Sequence, residues 1–148
     1  MTSGVIPRPA RLWQVPSLLG VLWAFTRQTD WLPCVRSRWT DAELMVRIIR
    51  RGWVRQWRSA AFIARDGARI HGLYVHPALR GRGLGAALIR DAKADADRLE
   101  LWVLARNAAA RRFYAAQGFA EVICCPQGMG NDEGLPDILM VWEREAMV

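Results

Sequence analysis

The stretch Leu73-Tyr74-Val75-His76-Pro77-Ala78-Leu79-Arg80-Gly81-Arg82-Gly83-Leu84-Gly85-Ala86 gathers the residue types that hold a pyrophosphate. An apolar run leads into a turn with two arginines and alternating glycines, and a helical pattern follows. Glycine lets successive backbone N–H groups curl toward one point. A helix N-terminus adds partial positive charge there. Arg80 and Arg82 add full charges, and their planar forks suit phosphate oxygens. Two other readings compete. A plain basic turn would not need so many special residues at one helix start. Gly81-x-Gly83-x-x-Ala86 also fits the dinucleotide fingerprint formally. Five residues, including Pro77, separate Val75 from Gly81, where that fingerprint wants an immediate tight turn. Leu104, Ala105 and Arg106 stand where it wants an acid.

Arg80-x-x-Gly83-x-Gly85 resembles the coenzyme A signature of the GNAT family of N-acetyltransferases, Gln/Arg-x-x-Gly-x-Gly/Ala. The strand before it ends in Leu-Tyr-Val-His-Pro, as family members often do. Downstream, the run from Asn107 through Ala110 and Tyr114 to Gly118-Phe119 resembles the family segment Asn-x-x-Ala-x-x-x-Tyr-x-x-x-Gly-Phe. One helix and one strand fit between the two. The resemblance is tight from about Arg69 to Val122, and the tail Gly130 to Ile138 resembles a loop of one bacterial branch.

The resemblance implies an α/β (α+β) fold: a mixed, mostly antiparallel sheet of six or seven strands with about four helices. The fourth and fifth strands, here Arg69–Val75 and Leu99–Leu104, would splay apart. It implies that acetyl-CoA lays its pantetheine arm in that gap, against backbone groups near Tyr74 and Val75. The pyrophosphate would sit on the amides of Arg80, Gly81, Arg82, Gly83, Leu84 and Gly85, and Asn107 would touch the arm. The implied reaction is direct attack of a primary amine, from a small molecule or a peptide, on the thioester. Tyr114 would supply a proton to the leaving thiolate; a phenol, with a pKa near 10, has one to give at neutral pH.

Such a reaction needs a base to make the amine neutral. His71 is the first candidate: its ordinary pKa suits the task, and period two places it on a face with Leu73 and Val75. A packed sheet histidine is an equal reading. Glu100 shares a face with Trp102, the position expected nearest the cleft. Asp132, Glu133, Asp137 and an ordered water complete the candidates. His76 precedes Pro77 and reads as a turn residue. A non-catalytic acyl-CoA-binding regulator on the same fold, and an Arg-rich nucleic-acid binder, are the alternatives from other classes.

The elements that must position these groups follow from pattern. Residues 5–8 read as a short first strand, which Pro7 confines to an edge. Pro16 to Arg27 reads as a helix, tolerant of Pro16 in its first turn. Thr40-Asp41-Ala42-Glu43 reads as a capping box ahead of a stripe of Leu44, Met45, Ile48 and Ile49, and Gly52 as its C-terminal stop. Trp53 to Trp57, Ala60 to Arg65 and Arg69 to Val75 read as strands, the last two joined by an Asp66-Gly67 hairpin. From Gly83 the pattern turns helical, with Leu84, Ala87, Leu88, Ala92, Ala96 and Leu99 on one face. Leu99 to Leu104 reads as a buried parallel strand. Asn107 caps a helix from Ala108 to Gln117 that Gly118 ends. Phe119 to Cys124 and Ile138 to Trp142 are the last strands, with a Gly-rich loop between.

Length and composition bound the rest. The 148 residues suit one domain, 1–148. Hydrophobic residues at 52% and charged residues at 24% exclude wholesale disorder. No run of 18 apolar residues offers a membrane span. The net charge is +7, and all but one of the 21 basic residues are arginine, Lys93 being the exception. That balance asks for an anionic ligand, and coenzyme A answers it without nucleic acid or membrane. Three cysteines, Cys34, Cys124 and Cys125, make a poor disulfide framework. Two histidines and no CxxC make zinc unpromising. A reducing cytoplasm is the expected setting. A homodimer is left open, dimers being common in the family. Trp13, Trp23, Trp31, Trp39, Trp53 and Trp57 all precede the glycine stretch, in the half that shapes the acceptor site in the family.

Overall fold

A computed structural model describes residues 4–29, 37–129, 131 and 134–145. The chain runs β1 (Arg8–Pro9), a 3-10 turn, α1 (Val15–Gln28), α2 (Arg38–Arg50), β2 (Val54–Trp57), β3 (Ala61–Asp66) and β4 (Arg69–Val75). A second 3-10 turn leads to α3 (Leu84–Ala94), β5 (Arg98–Leu104), α4 (Ala108–Ala116), β6 (Ala120–Cys125) and β7 (Asp137–Glu143). The strands form one mixed sheet of seven in the order β1-β2-β3-β4-β5-β7-β6. Every pair is antiparallel except β4 with β5.

Two hydrophobic layers sandwich the sheet. On one face Leu84, Leu88, Ile89 and Ala92 of α3 pack with Ile63, Leu101 and Met140. Tyr114 of α4 joins this cluster. On the other face Leu18, Leu19 and Val21 of α1 and Met45 and Ile49 of α2 pack on Val54, Phe62 and Ala64. That second cluster includes no residue of β5, β6 or β7, so α1 and α2 cover only half of the sheet.

Alternation along β5 follows from this layering. Leu99, Leu101 and Val103 are buried, while Glu100, Trp102 and Leu104 are half-buried. The expected parallel strand is parallel only to β4, over Arg69↔Glu100 and Ile70↔Leu101. Along its other edge all seven residues pair antiparallel with β7. That pairing fixes β5 where β4 does not.

Three local expectations are corrected. The helical face read from Gly83 through Ala96 and Leu99 stops with α3 at Ala94, and Leu99 belongs to β5. The first strand is only Arg8–Pro9, because Pro7 and Pro9 leave few N–H groups for a ladder. The second helix starts earlier than the Thr40 box suggests: Ser37 is its cap, its Oγ accepting from the Thr40 N–H at 3.1 Å. Thr40 therefore lies inside the first turn, its own Oγ1 3.0 Å from Ser37 Oγ. Gly52 does stop the helix, at φ +75, its N–H donating to the Ile49 carbonyl.

The loop between β6 and β7 is organised by one carboxylate. Asp137 is 1% exposed. Its two oxygens each accept from the Met129 N–H at 3.1 Å, and Oδ2 also accepts from Asn131 Nδ2 at 2.9 Å. Asn131 in turn bridges both backbone groups of Leu135. A Cβ at Gly128 would run into the Leu135 carbonyl oxygen, so the turn closes only with glycine there. Pro136 accepts from the Ala105 N–H at 2.9 Å, which roots the loop on the C-terminal end of β5.

The cap assignment is testable. Ser37→Ala is expected to lower unfolding free energy by about 1 kcal/mol, and Thr40→Ala by clearly less, in urea titrations of both variants.

Candidate active site

The site is built where β4 and β5 part. Their pairing ends at Ile70↔Leu101, and both strands continue, to Val75 and Leu104. Past that point the facing backbone groups of a central sheet position have no strand partner, an arrangement that asks for a ligand to supply hydrogen bonds.

The mouth of the gap leads to the glycine turn. Gly81 and Gly83 take φ +79 and +78, a left-handed conformation that side chains resist. Gly83 is the N-cap of α3, and the first turn carries no acidic residue. The N–H groups of that turn have no helical carbonyl to meet. This is a cradle of donors with positive potential, matching a pyrophosphate in charge and hydrogen-bonding type. Arg80 and Arg82 are exposed beside it. Arg80 Nη1 donates to Gln28 Oε1 of α1 at 3.1 Å, which ties the cradle to the end of the first helix.

Gly85 has a different job from the one its sequence position suggests. A Cβ there would lie 3.0 Å from Phe113 Cζ and 3.3 Å from its Cε1. The third glycine thus admits the ring of α4 against α3 rather than curling the loop.

Tyr74 and Tyr114 approach the gap from opposite layers. Tyr74 packs in the α1 side cluster, its ring edge-on to Phe25 at 5.5 Å and tilted against Phe62 at 5.2 Å. It folds back over Gly72, where a Cβ would meet Tyr74 Cε2 at 2.6 Å. Gly72 therefore makes room for the Tyr74 ring, a role that motif reading misses; a lone glycine inside a strand is the signal for such a close approach. Tyr114 is 8% exposed, between Phe113 at 5.1 Å and Phe119 at 5.6 Å. Burial pushes its phenol well above the ordinary tyrosine value, and the charge of Tyr74 adds to the shift. Tyr114 therefore carries its proton throughout the physiological range.

Asn107 caps α4, its Oδ1 accepting from the Ala110 N–H at 3.1 Å. Its place just past the end of β5 sets it on the same rim as Pro136. The structure thus brings Val75, the Arg80–Gly85 turn and Asn107 to the C-terminal ends of the two parting strands.

His71 sits at the other end of β4. The register passes from Ala64↔Gly72 to Arg65↔Ile70, so His71 is an extra residue at a bulge. The bulge breaks the period-two pattern, and Ile70 shares a cluster with Leu73 and Val75. The imidazole stacks on Trp53 with ring centroids 5.4 Å apart and planes within 9°. Partial burial and nearby Arg69 hold its pKa below 6.5 against the opposing pull of Asp66. It is one residue beyond the last β4–β5 pair, at the closed apex of the gap.

The other candidate bases are occupied or undescribed. Glu100 accepts from Arg98 at 2.8 Å. Asp137 is spent on the loop bonds above. Asp132 and Glu133 lie outside the described residues, as do Trp31 and Cys34. Among the described residues no group of three or more His, Cys, Asp or Glu could hold a metal. No described helix is long and apolar enough to cross a membrane.

Comparison with known proteins agrees with this geometry. The model of the acetyltransferase (GNAT) domain matches residues 42–121, more than half of the 148-residue chain. An uncharacterized N-acetyltransferase of Methanocaldococcus jannaschii is 44% identical over 62 residues, covering 38% of this chain and 27% of that protein. The chain therefore spans only about a quarter of that relative's length. Among solved structures, apo YjaB from Escherichia coli superposes with a TM-score of 0.75 at 19% identity, over 95% of this chain and 99% of that one. The PaiA N-acetyltransferase from Thermoplasma acidophilum, solved in complex with coenzyme A, has a TM-score of 0.64 at 16% identity, covering 95% of this chain and 99% of that one. These two likenesses are of fold, including the splayed β4/β5 pair, and the family match adds the chemistry: the chain belongs to the GNAT acetyltransferase family, whose cofactor is acetyl-CoA.

Proposed function

We propose that this protein transfers the acetyl group of acetyl-CoA to a primary amine of a small molecule or a peptide, in the cytoplasm. The observation that carries the reading is the open β4–β5 gap leading to a glycine cradle at the head of α3. The residues fit the cofactor: helix N-terminal N–H donors and two arginines for its phosphates, and the β4 edge beyond its last pair with β5, toward Val75, for an amide-bearing arm. Asn107 stands at the rim, with its amide NH2 left over from capping. Two free cysteines side by side, Cys124 and Cys125, suit a reducing compartment.

Bound acetyl-CoA supplies a thioester, so that a C–N bond forms, the C–S bond breaks and the sulfur leaves with the electron pair. The chain must do three things around that exchange. It must take a proton from the amine, and His71 is the proposed base, neutral at working pH because its pKa is depressed. It must offer a donor to the carbonyl oxygen, a role for an unpaired β4 amide. It must stabilise the departing sulfur. Tyr114 is proposed for that role. Its raised pKa lies above the ~8.5 of a thiol, so complete transfer of its proton is uphill. Its contribution is a short hydrogen bond to the developing thiolate, held in place by the surrounding rings.

Acetyl-CoA is expected to raise the melting temperature of the wild-type chain. Arg80→Ala should weaken that shift, and Gly83→Asp, which sets a carboxylate in the cradle, should abolish it. An unshifted wild-type melt at saturating acetyl-CoA refutes the reading, whereas a shift with no thiol released for any amine leaves a binding protein without transferase activity.

Tyr114→Phe should keep the acetyl-CoA shift and cut kcat by about 10²-fold or more, the usual worth of an acid-base group; thiol-release assays report it. His71 gives a pH signature. Its folded pKa lies below 6.5, so on acidification the unfolded chain takes up the proton first. Stability from this group is complete above pH 6.5 and declines as pH falls below it through the folded value. His71→Gln should remove that part of the decline in melts at pH 7 and pH 5, and should lower kcat if the imidazole is the base.

A further inference from the structure

The half of the sheet that α1 and α2 leave bare has a definite chemical character. Across β5, β7 and β6 the register aligns Trp102↔Leu139↔Ile123 in one row. The rows on either side are Leu104↔Asp137↔Cys125 and Glu100↔Val141↔Ala120. The alternate residues, Leu101, Val103, Ile138 and Met140, are buried under α3 and α4. The Trp102 row must therefore face the opposite way, onto the side where no described helix packs on these strands. Ile123 is 50% exposed, and Trp102 and Leu139 are half-buried.

This row begins at the gap. Trp102 is the residue after Leu101, the last β5 partner of β4. Tyr74, with Phe25 edge-on to it, belongs to the same side of the sheet. The cradle for the cofactor is at the head of α3, on the other side. An amine attacking a thioester held in the gap is left with the bare side, and there it meets Trp102, Leu139 and Tyr74.

The charges on this face narrow the choice. Its three described acids are engaged: Glu100 and Glu143 both bind Arg98, at 2.8 and 2.9 Å, and Asp137 is enclosed by Met129 and Asn131. No spare carboxylate among the described residues of these rows offers a second ammonium a partner, and an unpaired cation over this row loses hydration for which the Trp102 ring alone gives only a partial return. An aliphatic or aromatic group gains by covering the same surface.

Granting the acetyltransferase reading, we infer that the acceptor is a primary monoamine whose neighbouring substituent is apolar, seated on the Trp102–Leu139–Ile123 row. Polyamines and other multiply charged amines are disfavoured. The test compares phenethylamine with spermidine in a thiol-release assay with acetyl-CoA. Phenethylamine is expected to have a kcat/KM at least about 10-fold higher, the size of one buried apolar group. Trp102→Ala should cost phenethylamine about 10-fold in kcat/KM with the KM for acetyl-CoA unchanged. Ile123→Glu, at an exposed edge position where folding tolerates polarity, should shift preference toward spermidine. Loss of the acetyl-CoA thermal shift in the wild type would overturn the acetyltransferase reading itself. A retained shift with phenethylamine no better than spermidine overturns only the acceptor inference. Indifference of phenethylamine turnover to both Trp102→Ala and Ile123→Glu does the same.

Discussion

Backbone groups in the interior of a sheet have nowhere to go when their neighbour strand turns away, since water reaches them poorly and side chains seldom replace a ladder. β4 and β5 are in that position after only two register pairs. Everything around them serves to hold the opening without letting the sheet close or fall apart. β3 grips β4 along its length, apart from the bulge at His71, and β7 pairs with every residue of β5. α3 lies over the floor of the wedge, and α4 sets Tyr114 and the Asn107 cap at its side. A peptide-like arm that donates and accepts along one edge would satisfy what the strands leave unmade.

Much of this was legible in the residues. The turn from Arg80 to Gly85, the caps at Asn107 and Gly52, the Asp66-Gly67 hairpin and most strand limits follow from local chemistry. Such features are set within a few residues of each other, where pattern and propensity speak directly. What the pattern could not show depends on distant partners. Ser37 outcompetes Thr40 as a cap because the chain enters the helix three residues earlier. His71 leaves its expected face because one strand carries an extra residue against its neighbour, and periodicity has no means of registering that. Asp137, read as an acid near the substrate, turns out to be the fastening of its own loop, a role visible only once Met129 and Asn131 fold onto it.

The arginine and tryptophan content finds a common explanation. Fourteen of the twenty arginines lie at or before Arg82. In that half Arg38 covers Trp23, Arg51 covers Trp53 and Arg58 covers Trp57, at 4.8, 5.1 and 4.7 Å from the ring centroids. Those three half-buried indole faces are thereby screened by guanidinium planes, whereas Trp13 and Trp39 stay exposed. Other arginines are consumed by ion pairs, such as Arg55 with Asp91 at 2.6 Å. The basic excess is thus partly a coat for aromatic surface, and a smaller share of it is available to phosphate.

The contact of Gly85 with Phe113 makes one volume of two signatures that look independent along the chain. The phosphate turn belongs to α3, and the Tyr114 segment belongs to α4, with a whole strand between them in sequence. Yet a methyl group at 85 would press on the Phe113 ring at 3.0 Å, so that ring would have to give way. A lineage that acquires alanine at the first position must find a slimmer or differently tilted side chain at the second, or else pry the two helices apart and move Tyr114 with them. Substitutions at the glycine turn and on α4 are therefore coupled in evolutionary time, and the two positions should drift as a pair.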